Sequence, residues 1–465
     1  MKPATRDGYR LFTQGVIALS KMESIGLPVD LTKLTQAQTD VQQEIRLKES
    51  NLRKHAIYGM QQRRYGAECN LNSRDQLAWV LYEHLKLPGA KKSKKSKKYI
   101  LDEDALLLLD SDYVAEFLQL QKLYKLKGTY LDALERDCVN GRVHGFLNLH
   151  NVKSFRGSAD SPNLNNLPSR NKSITKYVKG CVCPPEGWYL VEIDYSALEV
   201  HVAACYHKDT TMIDNLESGF DMHTATSKQC YQYDDKWIAE NKGLAKTLRT
   251  AAKSDAVFGW FYGNYYVDVA RRLWKTAGKT GMLEHLSSVG IKRLGIEFDE
   301  VEQKWIANMD KDTFVSHIKS VEDDFWNVRY RQYGQWKKDW YREYLAKGYF
   351  HTLTGFLWRG VEKRNAIINF PIQGSAAHCL LQAIIDIQKE IETKKMQSRL
   401  FLEIHDSLLC LVPASELHDF VAMANYHMTT GLRQKWGWIL LDLKTEVELS
   451  SVSWADKIPY VGNET

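Results

Sequence analysis

Residues 188–195 read WYLVEIDY and residues 400–412 read LFLEIHDSLLCLV. The first stretch has the length and apolar, aromatic content of a buried strand, and the second reads as two apolar strands turning at His405-Asp406. Each strand unit ends or breaks at an aspartate, Asp194 or Asp406. A carboxylate in such surroundings is costly unless something pairs with it, and a divalent cation is the usual partner. Two such strands side by side would bring the carboxylates together, the arrangement that holds two metal ions about 3.5–4 Å apart for in-line phosphoryl displacement. The plainer reading is a pair of turn aspartates.

Between these strands lies a long, mostly helical stretch, which predicts one sheet domain interrupted by a helical one. Within it, 243–262 carries basic residues on one face. Nearer the hairpin, 373–392 opens with the small residues Gly374, Ser375, Ala376 and Ala377. Upstream, 73–87 is predicted as an amphipathic helix, with Ser73 and Gln76 in a capping-box pattern and Leu77, Val80, Leu81 and Leu85 on one face. A lysine-rich tip follows, then a helical pattern from Asp102 to Asp137. Two helices joined through a lysine loop predict an arm.

The chain has 465 residues, 44% hydrophobic and 26% charged, which is a globular profile long enough for several domains. No run of apolar residues is long enough to span a membrane, and the start, MKPATRDGYR, has no signal-peptide core. Eight scattered cysteines, with Cys181 and Cys183 as an isolated C-x-C, exclude a disulfide scaffold and a zinc site. A reducing, cytoplasmic location is expected. Of the net charge of +6, the basic part is local: residues 51–100 hold twelve Lys/Arg against three Asp/Glu. The patch centres on Lys91, Lys92, Lys94, Lys95, Lys97 and Lys98. Such a run tracks phosphates without reading sequence, or is simply a solvated loop.

Arg249 and Lys253 are spaced i, i+4 and so share a helix face. A guanidinium fork and an ammonium one turn apart suit the oxygens of a triphosphate. Phe258 and Tyr262 follow, aromatic faces on which a base can stack.

In this order the segments resemble the motifs of the family A DNA polymerases. Asp194-Tyr195-Ser196-Ala197-Leu198-Glu199 is similar to motif A. Arg249, Lys253, Phe258-Gly259 and Tyr262-Gly263 are similar to motif B, and His405-Asp406 to the core of motif C. Arg156 with Pro162-Asn163-Leu164-Asn165-Asn166-Leu167-Pro168, Asp221-Met222-His223-Thr224-Ala225 and Asn369-Phe370-Pro371-Ile372-Gln373-Gly374-Ser375-Ala376 complete the set. One short motif can be accident, but six in order, over about residues 20 to 450, are not.

The resemblance implies an α+β right-hand fold with an antiparallel-sheet palm, helical fingers and a helical thumb. Its divisions would be a lead-in at 1–24, thumb at 25–138, palm at 139–206 and 366–465, and fingers at 207–365. It implies template-directed addition of dNTPs to a primer 3′-OH with release of pyrophosphate. Asp194 and Asp406 would hold two Mg²⁺ ions, with Mn²⁺ as the alternative. Arg249, Lys253 and His223 would clamp the triphosphate, Lys253 would protonate pyrophosphate, and Phe258 would stack on the base. Glu199, backed by Tyr262, would exclude a ribose 2′-OH. Arg156, Asn369, Gln373 and His405 would touch the minor groove at the primer terminus, where acceptors look alike for all base pairs. The lysine run would grip the primer–template duplex at the thumb tip.

A single-subunit RNA polymerase shares the hand-like design, but Glu199 and the Asn165-Asn166 segment favour the deoxy-specific relative. A DNA-binding remnant without activity is opposed by Asp194, Asp406, Arg249 and Lys253. The family's carboxylate after the motif C aspartate is here Ser407, leaving Glu192, on the same strand face as Asp194, as a candidate third carboxylate. The motif A arginine is here His201. The length between Tyr266 and Phe325, with the Tyr-Gly-Asn-Tyr-Tyr run, resembles phage replicative members, for which the location would be the host cytoplasm. The match begins almost at Met1, so no proofreading exonuclease domain is expected in this chain. Expected partners are primer–template DNA and dNTPs, with a separate exonuclease or processivity factor, and the chain is expected to be a monomer with no membrane contact.

One spacing departs from the family. Lys253 and the stacking aromatic Phe258 are five residues apart instead of four. On a regular helix the extra residue would turn Phe258 about 100° away from the site. A single-turn π-bulge absorbs one residue. The spacing therefore predicts an i→i+5 bond or local unwinding between Lys253 and Phe258, with Asp255 turned away from the phosphates.

Overall fold

The structure, a computed structural model, describes residues 5–87, 92–93, 96–101, 106, 111–168, 172–299 and 304–462. Lys91, Lys94, Lys95 and most of the predicted helical start at 102–110 lie outside the described residues.

Strand Trp188–Tyr195 (β1) is the centre of a five-stranded sheet. Arg399–Ile404 (β2) and Ser407–Pro413 (β3) form the predicted hairpin, and Thr445–Ser450 (β4) and Ile458–Pro459 (β5) complete it. The spatial order is β2-β3-β1-β4-β5, with every neighbour antiparallel. Strands 188–195 and 407–413 pair although some two hundred residues of mostly helical chain separate them, in line with the predicted sheet interrupted by a helical stretch, and their register comes from the structure alone.

The apolar runs lack simple alternation because both sheet faces are buried. Val191, Ile193 and Tyr195, with Leu408, Cys410 and Val412, join one core. Helices Thr5–Ile25 (α1), Leu198–His207 (α3) and Arg364–Lys394 (α8) cover that face, through residues such as Leu19, Val202 and Ile384. Leu190, Leu409 and Leu411 face a second core built from the N-terminal helical lobe, including Leu34, Val41 and Ile45 of Leu31–Lys54 (α2). At the open end of β1 the polar side chains Glu192 and Asp194 alternate on this second face.

The N-terminal lobe modifies one expectation. Its helix runs Arg74–Ala78 and then widens into a π-turn, Trp79–His84. Ser73 Oγ accepts from Gln76 N at 3.2 Å, as a cap should. The Gln76 side chain does not return to Ser73. It accepts from Asn70 N at 2.8 Å and ties the preceding loop instead.

The interrupting lobe includes Met222–Tyr231 (α4), Lys242–Ala251 (α5), Phe258–Phe261 (α6) and Arg331–Lys347 (α7). Its aromatic centre, with Trp260, Phe325 and Tyr333 all buried, is continuous with the core behind the sheet. Among the described residues no helix is long and apolar enough to cross a membrane. The eight cysteines are all free.

Candidate active site

Asp194 is the next-to-last residue of β1, and register sets it opposite Ser407 on β3 and opposite Glu446 on β4. Asp406 occupies the hairpin turn beside it. His405 adopts φ +58°, a left-handed conformation that sharpens the reversal, and Tyr195 N donates to Asp406 O at 3.2 Å. The two aspartates therefore stand side by side at one end of the sheet. Burial first, then the neighbouring Asp406, Glu192 and Glu446 carboxylates, push the Asp194 carboxyl up to about 7. Burial, then Glu199, also raises Asp406. Mutually repelling carboxylates with hard oxygen donors fit a divalent cation such as Mg²⁺ or Mn²⁺.

The candidate third carboxylate is otherwise engaged. Glu192 Oε2 accepts from Trp454 Nε1 at 2.5 Å and from the Lys457 ammonium, which also contacts Glu448 at 2.6 Å. This half-buried network holds Glu192 toward the C-terminal segment. Ser407 Oγ donates to Ile404 O at 3.1 Å, an intra-turn bond. Among the described residues no group of three His, Cys, Asp or Glu side chains is arranged to hold a metal. The carboxylate sequence reading missed is Glu446, which accepts from Ser196 Oγ at 3.1 Å. The alternation of TEVELS at 445–450 marks it as a strand residue, but only the register sets it beside Asp194.

After β1, Ala197 at φ +54° turns the chain into α3 and sets Glu199 in the first helical turn. Tyr262 donates its hydroxyl to Glu199, and Arg156 Nη1 lies 3.7 Å from the other Glu199 oxygen. Phe258, Asn369 and Gln373 line the same small cleft. His201, at the position of the motif A arginine, is buried with Nδ1 against Ala197 O at 3.0 Å. Burial lowers its pKa, so it contributes no cation there.

The spacing anomaly resolves as a π-segment, Ala252–Val257, between α5 and α6. Phe258 N donates to Lys253 O, an i→i+5 bond. Lys253 Nζ then sits 5.7 Å from the Phe258 ring centroid, and the His223 ring is also 5.7 Å from it. Burial, then the nearby Lys253 and Arg249, lowers His223 to about 4. Asp255 turns to the opposite side, 3.5 Å from Arg272. Thus the extra residue is absorbed and the basic and aromatic side chains share one face.

Arg249 is not free in this state. It forks onto Asp221 at 2.8 and 3.0 Å, and Asp221 also caps α4 by accepting from His223 N and Thr224 N. Burial opposes ionisation of Asp221, but the Arg249 and Thr224 hydrogen bonds overcome it and hold the carboxyl well below its usual range. Asn369 also has a local partner: its Nδ2 donates to Tyr262 O at 3.1 Å. His405 and Arg156 instead border a larger cavity with Asn163, Asn165 and Glu403. At the lysine patch, Lys92 lies 3.6 Å from Glu83 and 4.4 Å from the Tyr99 ring centroid, and Lys98 pairs with Asp75. Lys97 is exposed.

Glu403 is 8% exposed, and no hydrogen bond reaches its carboxylate among the described residues. Burial pushes it up to about 7 from 4.5. A raised carboxyl contributes stability that is fully present below pH 4.5 and is lost as pH rises through about 7. Glu403→Gln is therefore expected to abolish that decline, on the order of 3 kcal/mol. Urea unfolding at pH 5 and pH 8 measures it, and the same pH dependence in both proteins would contradict the assignment.

A central antiparallel sheet with two aspartates at one end, faced by a basic, aromatic helix, defines the right-hand polymerase fold. The chain belongs to DNA polymerase family A, whose sequence model matches residues 33–287 and 319–456. The unmatched stretch, 288–318, falls within the segment that sequence reading marked as extended. It includes the antiparallel strand pair Ile296–Asp299 and Lys304–Ala307. The chain is 28% identical over 401 residues to DNA polymerase I of Geobacillus stearothermophilus, covering 86% of this chain and 41% of that protein. It is 26% identical over 456 residues to DNA polymerase I of Bacillus subtilis, covering 95% of this chain and 44% of that protein. It thus spans less than half the length of these curated relatives. The fold is similar to that of the POL domain of Pol1 from M. smegmatis, solved in complex with a DNA primer–template and dNTP. That match has a TM-score of 0.73 at 22% identity and covers 95% of this chain and 70% of that one.

Proposed function

We propose that this chain catalyses template-directed DNA synthesis, joining dNTPs to a primer 3′-OH and releasing pyrophosphate. The observation that carries this reading is the convergence of two sites. Asp194 and Asp406 share one end of the sheet, and the π-turn at 252–257 keeps Arg249, Lys253, Phe258 and Tyr262 on one face near Glu199. In this reading residues 25–138 form the thumb, 139–206 and 366–465 the palm, and 207–365 the fingers.

Asp194 and Asp406 would hold the divalent cations, which when bound lower the pKa of the primer hydroxyl and neutralise the leaving pyrophosphate. Lys253 and Arg249 would bind the triphosphate oxygens, and Lys253 would donate a proton to the leaving group. Arg249 exchanges Asp221 for the nucleotide as it does so. His223, neutral near pH 7, donates a hydrogen bond through one ring nitrogen; its Nδ1 has no hydrogen-bond partner in this state. Phe258 stacks on the base, and Glu199 with Tyr262 closes the space beneath the sugar. Arg156, Gln373 and His405 contact the minor groove of the primer terminus, where they report pair geometry rather than identity. Asn369 reaches the same site but is tied to Tyr262 O, so it acts by orienting Tyr262.

Primer extension with Mg²⁺ and four dNTPs tests this. Extension to the template end is the expected product. Duplex binding without any extension would instead indicate a DNA-binding remnant.

The basic patch makes a separate prediction. Neutralising Lys91, Lys92, Lys94, Lys95, Lys97 and Lys98 is expected to weaken primer–template affinity and shorten products. The slope of log affinity against log salt should fall by about one per lost phosphate contact. Since Lys92 and Lys98 are paired with Glu83 and Asp75, the loss should be smaller than six contacts. Identical slopes would make the run a solvated loop.

A further inference from the structure

The C-terminal end of α6 is held partly by the turn that follows, where Gly263 N donates to Trp260 O at 3.2 Å and Asn264 N to Gly259 O at 2.7 Å, and partly from outside. A helix end leaves its last carbonyls without partners of its own. Here Lys337 Nζ, from α7, donates to Trp260 O at 2.8 Å and to Phe261 O at 3.2 Å. Two residues of α8 take the next carbonyls: Asn369 Nδ2 donates to Tyr262 O at 3.1 Å and Asn365 Nδ2 to Gly263 O at 3.0 Å. Gly263, at φ +88°, lies so close to Asn365 that a Cβ would collide with that amide.

Lys337 is 8% exposed, and its ammonium sits 3.9 Å from the Trp326 ring centroid. A buried cation is costly unless its surroundings compensate. Main-chain carbonyls at the negative end of a helix and an indole face do so here. Burial still depresses the lysine, to about 7. An apolar side chain would fill this position at less cost, so packing alone does not account for the lysine.

What it holds does. The π-turn at 252–257 interrupts the i→i+4 ladder just upstream, and α6 is only Phe258–Phe261. So short a segment cannot set its own tilt from the wide turn alone. Phe258 begins it and Tyr262, bonded to Glu199, follows it.

We propose that Lys337 is a positioning residue for the nucleotide site: by pinning the Trp260 and Phe261 carbonyls to α7, it sets the pose of Phe258 and Tyr262 against Glu199. It thereby tunes dNTP affinity and sugar discrimination. This rests on the nucleotide reading of residues 249–262.

The test is Lys337→Met in the full chain, which keeps length and removes charge and donors. Thermal unfolding establishes that the variant folds; single-nucleotide incorporation then gives kcat and KM for a dNTP and the matching rNTP. The expected result is a KM for dNTP raised about tenfold, kcat within about threefold, and a reduced dNTP-to-rNTP ratio of kcat/KM. An unchanged KM and ratio, or a fall in kcat alone, overturns the proposal. If Lys337→Met does not fold, Lys337→Leu, which likewise removes the charge and the donors, is measured in its place. Failure of both to fold makes the lysine purely structural and likewise overturns it. Failure of the wild-type chain to incorporate any dNTP would remove the underlying nucleotide reading instead.

Discussion

Alanine at Asp194 or at Asp406 is expected to lower primer extension by more than about a hundredfold, near 2.7 kcal/mol of barrier, with duplex binding largely retained. Asp194 has register partners on both sides, Ser407 and Glu446, and the carboxylates that act on it are Asp406, Glu192 and Glu446. Glu192 cannot step in, because Lys457 and Trp454 already hold it. Asp194 and Asp406 are thus the pair proposed to hold a cation, while Glu446, the remaining neighbour of Asp194, is tied to Ser196 Oγ at 3.1 Å. In the proposed reading the duplex would be held largely by the basic patch around Lys92, Lys97 and Lys98 and only its terminus by Arg156, Gln373 and His405, so its binding should survive either change. Quenched-flow extension and a parallel binding titration separate the two effects. A variant with more than about a hundredth of the wild-type rate would remove that aspartate from the metal site.

Glu199→Ala is expected to admit ribonucleotides, with the dNTP-to-rNTP ratio of kcat/KM falling about tenfold or more. The left-handed turn at Ala197 throws Glu199 out of the strand line and into the cleft with Phe258 and Tyr262. Its carboxylate accepts the Tyr262 hydroxyl and faces Arg156, so its position is fixed from both sides. Removing it opens space where a 2′-OH would sit and frees Tyr262 to move. The dNTP rate alone should change less than the ratio. An unchanged ratio would show that another group excludes the ribose.

The residues behind these predictions differ in how legible they were. Local pattern exposed the central strand, the hairpin turning at His405-Asp406 and the i, i+4 pair Arg249/Lys253. The five-residue step from Lys253 to Phe258 even foretold the π-turn, because helix geometry alone decides where that side chain points. Long-range partners stayed hidden. The capture of Glu192 by Lys457 spans 265 residues, and the Lys337 bond to Trp260 O spans 77. No periodicity encodes such pairs; they exist only once the sheet register and helix packing are formed. The Arg249–Asp221 fork was missed for the same reason. Both residues were recognised, each for a separate motif, while their contact depends on how α4 and α5 pack.

The most direct test of the account is single-nucleotide incorporation on four primer–templates that differ only in the first unpaired template base. With Mg²⁺ and each dNTP supplied alone, the account predicts rapid addition of the complementary nucleotide in every case. Addition should be slower by orders of magnitude for the others and absent in Asp194→Ala. Addition that ignores the template base, or none on any of the four, would contradict it.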